Sequence, residues 1–133
     1  MAQDTITTTE VVIDEDVKKE LLSDIAEEKQ IIVNCIINGG NDGTAARIWK
    51  STYLVDNVSK QRSVLLLTIG VSHYPNWTRI PPKSTLRFSL IFSALPQSTK
   101  VFDLVEQIPE SGGFYFSGLR RNDADVYQVD LTD

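Results

Sequence analysis

The chain has 133 residues, a formal net charge of −5, 41% hydrophobic residues and 23% charged residues. This length suits one domain, and the composition is typical of a globular protein rather than a disordered or fibrous one. No apolar run approaches the roughly eighteen residues that a transmembrane helix needs, so we predict no membrane span.

Charge is unevenly distributed along the sequence. Residues 1–30 carry nine acidic side chains and three lysines, whereas the stretch from Arg47 to Arg87 carries seven basic side chains and one acidic one. The basic stretch forms either part of a weak, salt-screened surface field or a patch for an anionic partner. Because the whole chain is acidic, we do not expect that partner to be a nucleic acid.

The acidic N-terminal region, residues 1–30, is predicted to contain a strand and a helix. Ile6 to Ile13 is rich in β-branched residues, which favour a strand. Asp16 is a suitable N-cap for one short helix with an apolar stripe along one side. The stripe consists of Val17, Leu21, Leu22 and Ile25.

The remaining residues, 31–133, are predicted to form a β core. The clearest strand runs from Arg87 to Leu95, where Phe88, Leu90 and Phe92 fall on alternate positions, the period of a strand with one buried face. The other predicted strands are 31–37, 47–55, 63–71, 101–105, 114–119 and 125–131, with 47–55 and 63–71 forming a hairpin. Seven or eight short, mostly antiparallel strands predict an all-β fold. We expect a single β-sandwich domain over residues 1–133, with a closed barrel as the alternative.

One segment near the C-terminus resembles a known β-sandwich family. Asp123 and Tyr127 have the spacing of the tyrosine corner of immunoglobulin-like domains, and Val129 stands where an antibody domain has its second cysteine. Cys35 and Trp49, fourteen residues apart, are similar to the first cysteine and the core tryptophan of that family. The resemblance implies a sandwich and no particular activity.

Catalytic motifs and cofactor motifs are not found in the sequence. His73, the single histidine, lies in a loop without a nucleophile elbow, and no glycine-rich nucleotide loop or zinc-ligand spacing occurs. We therefore predict no catalytic residue, no metal and no cofactor. Asp103 and Glu106 lie three apart in a predicted strand and so point to opposite faces, which excludes a convergent acid pair. We expect them to be solvent charges or partners of nearby arginines.

A candidate binding surface combines aromatic and basic side chains. Its predicted members are His73, Tyr74, Trp77 and Arg79 of a proline-rich loop, together with Arg120 and Arg121; Trp49 and Tyr53 join them if the strands align. A loop tryptophan of this kind is an anchor for a protein partner or a stacking platform for a sugar. More commonly, such a tryptophan folds back and caps the open end of the sandwich.

These observations favour a non-catalytic interaction or structural domain whose partner is a protein, either another chain or a second copy. The alternatives are a carbohydrate-binding module that uses residues 73–79 to hold a glycan, and an enzyme with an unrecognised site.

The cellular compartment is predicted from the N-terminus and the cysteine content. The first ten residues lack the basic and apolar regions of a signal peptide, so we expect a cytoplasmic protein, or a secreted one if a leader has been removed. The single cysteine, Cys35, lies in an apolar run and is predicted to be a buried free thiol.

Overall fold

A computed structural model of the chain describes residues 30–109 and 112–132, and every regular element among them is a β-strand. In chain order the strands are β1 (Ile31–Asn38), β2 (Thr44–Ala46), β3 (Thr52–Asp56), β4 (Arg62–Ile69), β5 (Thr78–Ile80), β6 (Thr85–Phe92), β7 (Val101–Glu106), β8 (Tyr115–Arg120) and β9 (Val126–Asp130). The predicted all-β class is therefore confirmed for the described residues. The predicted strand 6–13 and the predicted helix after Asp16 lie outside them.

Seven strands form one continuous sheet in the order β8-β7-β3-β4-β6-β1-β9, and β2 and β5 form a separate pair. Each of the seven strands predicted in the β core overlaps one strand of the large sheet. All neighbours in it are antiparallel except β1 and β9, which are parallel. The predicted hairpin is confirmed as the β3–β4 pair.

Two details of the sequence prediction differ from the structure. The predicted strand 47–55 is interrupted by a turn, because the backbone nitrogen and the hydroxyl of Thr52 both donate to the carbonyl of Trp49, at 3.0 and 2.7 Å. Only the second half of that segment therefore enters the sheet. The proline-rich connection before β6 contains a short strand, β5, which pairs with β2 outside the large sheet. This position agrees with its prolines, because proline lacks the backbone N–H that a central strand needs.

The large sheet curls toward closure because the two ends of β4 pair with different strands. The first residues of β4 pair with β3, and its later residues pair with β6. Leu65 lies opposite Phe92 and Leu67 lies opposite Ile91, so Leu66 is an extra residue in a β-bulge, which bends and twists the strand. The sheet is barrel-like and nearly closed.

The inner face of the curled sheet holds the hydrophobic core. Alternate residues of β1 and β6 point inward, and the predicted packing residues of β6 are 0–4% exposed. The fully or almost fully buried side chains of these two strands are Ile31, Val33, Cys35, Phe88, Leu90 and Phe92. Complete burial of one such large side chain stabilises the fold by about 1.5–3 kcal/mol. Burial also raises the pKa of the Cys35 thiol, which keeps it protonated and confirms the predicted buried thiol.

The corner before β9 is fixed by a tyrosine hydroxyl. The Tyr127 hydroxyl accepts a hydrogen bond from the backbone nitrogen of Asn122 at 2.9 Å and donates one to Asp125 Oδ1 at 2.9 Å. Its ring packs edge-to-face against Phe102 of β7, with centroids 5.0 Å apart. This contact joins opposite sides of the curled sheet, because β7 and β9 lie five positions apart in the strand order.

Two aspartates of neighbouring strands organise loops. Asp56 ends β3 and accepts hydrogen bonds from the backbone of Val58 at 2.8 Å and Ser59 at 3.2 Å, and from the Thr99 hydroxyl. Asp103 accepts from the Tyr115 hydroxyl at 2.7 Å and from the backbone of Gly118 at 2.9 Å. The expectation that Asp103 is a solvent charge is wrong, since its side chain is only 5% exposed.

These hydrogen bonds favour the ionised carboxylates. The bond from Thr99 and those from the loop backbone lower the pKa of Asp56 from 3.8 to about 2. Burial raises the pKa of Asp103, but its bonds from Tyr115 and Gly118 outweigh burial and leave that pKa below its usual value. Both carboxylates therefore stabilise the fold only while they are ionised.

We expect the stability of the protein to fall with acidification. A lowered folded-state pKa contributes stability that is complete above the unfolded value of 3.8 and is lost as the pH falls toward about 2. Urea midpoints measured between about pH 5 and pH 2 should decline, and Asp56→Asn should flatten that decline by removing the titrating group. Val58→Ala, which changes an 89% exposed side chain that does not titrate, is the control and should leave the slope unchanged. An equal slope in wild type and Asp56→Asn would contradict the expectation.

Candidate functional site

Two loops dock on each other at one end of the curled sheet. The backbone nitrogen of Ile48 donates to the carbonyl of Ser72 at 2.9 Å, and that of Tyr74 donates to the carbonyl of Ile48 at 3.0 Å. The Ile48 side chain is 1% exposed and anchors the first loop in the core. Because side chains alternate along an extended segment, Arg47 and Trp49 are turned away from the core side that Ile48 occupies.

Four side chains of these loops form the aromatic–arginine cluster: Arg47, Trp49, Tyr74 and Trp77. The guanidinium carbon of Arg47 lies 3.9 Å from the ring centroid of Trp77, 4.6 Å from that of Tyr74 and 5.7 Å from that of Trp49. The rings of Trp49 and Tyr74 stack with centroids 3.8 Å apart and an interplanar angle of 26°. Arg47 Nη1 also donates to the carbonyl of Pro75, which follows a cis peptide bond, at 3.3 Å.

This arrangement holds the arginine in one place. A cation over an aromatic face is stabilised by about 0.5–1 kcal/mol at exposed sites and more when it is desolvated, and here one guanidinium meets three rings. The cluster nevertheless remains accessible, since Trp77 is 58% exposed and Tyr74 is 48% exposed. It is therefore an ordered aromatic surface with a positive charge at its centre.

A cleft of about 500 Å³ adjoins the cluster. Arg47, Trp49 and Trp77 line it, together with Gly39 after β1, Glu106 at the end of β7, and Phe114. This volume lies within the range of small-molecule pockets. Among the described residues that line the cleft, Glu106 is the one carboxylate, and none is a histidine, cysteine or serine.

Glu106 connects the cleft to the sheet. Its side chain is 7% exposed, and Oε2 accepts a hydrogen bond from the backbone nitrogen of Trp49 at 3.2 Å. Burial raises the pKa of Glu106, and the hydrogen bonds from Trp49 and Phe114 and the charge of Arg47 offset only part of that effect. The expectation that Glu106 is a solvent charge is therefore wrong. It fixes the loop that carries Trp49.

The predicted site residues of the proline-rich loop lie in different environments. Tyr74 and Trp77 belong to the cluster, whereas Arg79 lies on β5 opposite Ala45 and is exposed. His73 faces β4, where its Nε2 lies 2.6 Å from the Thr68 hydroxyl. The other ring nitrogen of His73 is buried and has no hydrogen-bond partner among the described residues.

Arg120 and Arg121 lie at the other end of β7 from the cluster. Arg120 is opposite Val101, the first residue of β7, whereas the cluster adjoins Glu106, the last; the separation is about 17 Å along the strand. Arg121 forms a 2.6 Å ion pair with Asp125 and donates to the carbonyls of residues 95, 96 and 99. It therefore fastens a loop far from the cluster.

Sequence reasoning missed Arg47 and Glu106 as members of this site. The order Arg47-Ile48-Trp49 could have indicated the role of Arg47. An apolar residue between two large polar or aromatic residues is typical of an extended segment in which the middle side chain is buried and its two neighbours face the other way. Tyr53, which was a conditional member, lies on the sheet instead, with Arg62 over its ring at 4.1 Å.

Within residues 30–109 and 112–132, no three side chains of histidine, cysteine, aspartate or glutamate are grouped closely enough to hold a metal ion. The same residues include no helix with the length and apolar character needed to cross a membrane. Comparison of the chain with protein-family models, with curated proteins and with solved structures gave no match.

Proposed function

We propose that this chain is a non-catalytic protein-binding domain and that the aromatic–arginine cluster is its contact surface. The observation that carries the proposal is the exposure of Trp77 and Tyr74 around a fixed Arg47. Tryptophan, tyrosine and arginine are the residue types most enriched among the few interface residues that dominate binding energy. A surface that is already ordered loses little side-chain entropy on binding.

The packing of the cluster favours a protein over a glycan. A sugar stacks on an open aromatic face, but Arg47 lies over one face of Trp77, and Trp49 and Tyr74 stack on each other. Glu106 is bonded to the backbone of Trp49, and the described residues that line the cleft supply no second acid to form a catalytic pair with it. These two observations support protein binding above the carbohydrate and enzyme alternatives.

We propose in addition that the two halves of the curled sheet, which contact each other through Phe102 and Tyr127, correspond to the two layers of a β-sandwich related to immunoglobulin-like domains. The hydrogen bond between the Tyr127 hydroxyl and the backbone of Asn122 supports this reading, because a tyrosine corner bonds to backbone a few residues upstream.

Site-specific cross-linking identifies the partner and tests the surface together. A photoreactive amino acid at position 76, the exposed residue beside Trp77, is expected to cross-link one protein from an extract of the native source. The same probe at position 58, where Val58 is 89% exposed outside the cluster, should not capture it. Equal capture from both positions would contradict the proposal.

With that partner purified, Trp77→Ala is expected to weaken binding by about tenfold or more, because it removes the most exposed ring of the cluster. Isothermal titration would measure the change, with Val58→Ala as the matched control that retains full affinity. Unchanged affinity in Trp77→Ala would overturn the proposal. Binding to a glycan array that Trp77→Ala abolishes would replace it with the carbohydrate function.

A further inference from the structure

A second exposed apolar surface lies on β4 and shares no residue with the cluster. We name Val64, Leu66, Leu67 and Ile69 the outer β4 patch; their side chains are 57, 49, 53 and 43% exposed. Soluble proteins scatter single apolar residues over their surface, but four on one strand form a continuous patch, and such patches mark interaction sites. The patch is central in the sheet, with β3 on one side and β6 on the other.

The patch continues across the sheet toward the first strand. Leu67 lies opposite Ile91 of β6, Ile91 lies opposite Ile32 of β1, and Ile32 lies opposite Val126 of β9. Residues directly opposite each other on paired strands share a face, so these four side chains form one apolar row. The row is on the outer face, because the neighbours of Ile91 in sequence, Leu90 and Phe92, point into the core. Ile91 is only 6% exposed and Ile32 and Val126 are half-buried, so the open part of the row is at Leu67.

The chain enters the sheet within this row, at β1. Ile32 is the second residue of β1, and it is separated from Leu67 by one strand, so the two lie about 10 Å apart. Residues 26–30 span up to about 16 Å when extended. The segment that precedes them therefore reaches β4 without difficulty.

The sequence of that segment matches the patch in polarity and charge. Its apolar stripe, Val17 to Ile25, would be about 12 Å long as a helix, against about 17 Å for the outer β4 patch. β4 and β6 contain Arg62 and Arg87 and no acidic residue, whereas residues 1–30 have a net charge of −6. An apolar stripe with acidic flanks is complementary to an apolar face bordered by arginines.

We propose that residues 17–25 pack on the outer β4 patch of their own chain, as a helix whose apolar stripe covers β4 and β6. The acidic N-terminal region then has a defined role, which is to shield the outer face of the curled sheet. This proposal is independent of the protein-binding surface at the other loops.

Thiol labelling of the full chain tests the proposal. Leu67→Cys should react with a maleimide about tenfold or more slowly than Val58→Cys, because the docked segment must open before the thiol is reached. Adding Leu21→Asp to Leu67→Cys should restore fast labelling. Cys35 is 1% exposed and contributes little background. Labelling of Leu67→Cys as fast as Val58→Cys, or protection that Leu21→Asp leaves intact, would overturn the proposal.

Disulfide trapping gives a second test that does not depend on the aspartate variant. Leu21→Cys combined with Leu67→Cys should form a bond within one chain, at a rate independent of protein concentration. Glu20→Cys combined with Leu67→Cys is the matched control, because Glu20 lies off the apolar stripe, and it should form the bond about tenfold more slowly. Equal rates would overturn the proposal, and so would a bond that links two chains, which would identify a second copy as the occupant.

Discussion

Phe102→Ala is expected to lower the free energy of unfolding by about 3–5 kcal/mol, the cost of emptying a large buried aromatic site. Phe102 is 0% exposed, and its ring packs edge-to-face on Tyr127, so the variant loses both the burial and the contact that joins β7 to β9. The net stability of a domain of this size is of the order of 10 kcal/mol, so the loss is a large fraction of it. Urea unfolding followed by circular dichroism measures the change.

Phe102→Leu is the control for this variant. It retains most of the buried volume and should cost less than about 1.5 kcal/mol. Val58→Ala, at an 89% exposed position, should change stability by no more than about 0.5 kcal/mol. If Phe102→Ala were as mild as either control, the inner face of the sheet would not be packed as described.

Arg121→Ala is expected to destabilise the fold by about 2–3 kcal/mol, because it leaves a mostly buried carboxylate and several carbonyls without their charged donor. The guanidinium pairs with Asp125 at 2.6 Å and donates to the carbonyl of Pro96 at 2.8 Å, which fastens the loop after β6 to the corner before β9. Chemical denaturation of the variant gives the loss directly.

Arg120→Ala is the matched control, because Arg120 is the preceding residue and is exposed. It should alter stability by about 0.5 kcal/mol or less. Arg121→Lys should recover only part of the loss, since an ammonium cannot replace the planar fork of a guanidinium. Equal stability of Arg121→Ala and Arg120→Ala would contradict the structural role, and would return Arg121 to the group of candidate binding residues.

The strands were predictable where buried side chains recur at every second position, the period of a β-strand. β6 was recognised because Phe88, Leu90 and Phe92 fall on alternate positions, the period that one buried face imposes, although Ile91 between the last two is buried as well. The segment from Arg47 to Val55 was harder, since a turn closed by Thr52 divides it, and nothing in local composition distinguishes that turn from a continued strand. The bulge at Leu66 was equally hidden, because it depends on the register with β6.

The candidate site was predictable only in part, because it depends on contacts between residues that are far apart in the sequence. Tyr74 and Trp77 could be selected as loop aromatics, but their partner Arg47 lies 27 residues before Tyr74 and meets it only through the docking of two loops. Arg121 was grouped with them by charge, although the sheet places it at the opposite end of β7. Glu106 was taken for a solvent charge, because sequence shows the period of a strand but not the loop that covers its end.

The parallel pairing of β1 and β9 determines how late in synthesis β1 acquires both of its neighbouring strands. Ile32 lies opposite Val126, and these residues are 94 positions apart in the chain. During synthesis, one edge of β1 cannot pair until residues 126–130 have left the ribosome, and β6, its other neighbour, begins 47 residues after β1 ends. Pairings between such distant residues form slowly, since a long loop must close first. The nascent chain therefore carries an unpaired, β-branched first strand for most of its synthesis, the stage at which it is most exposed to aggregation.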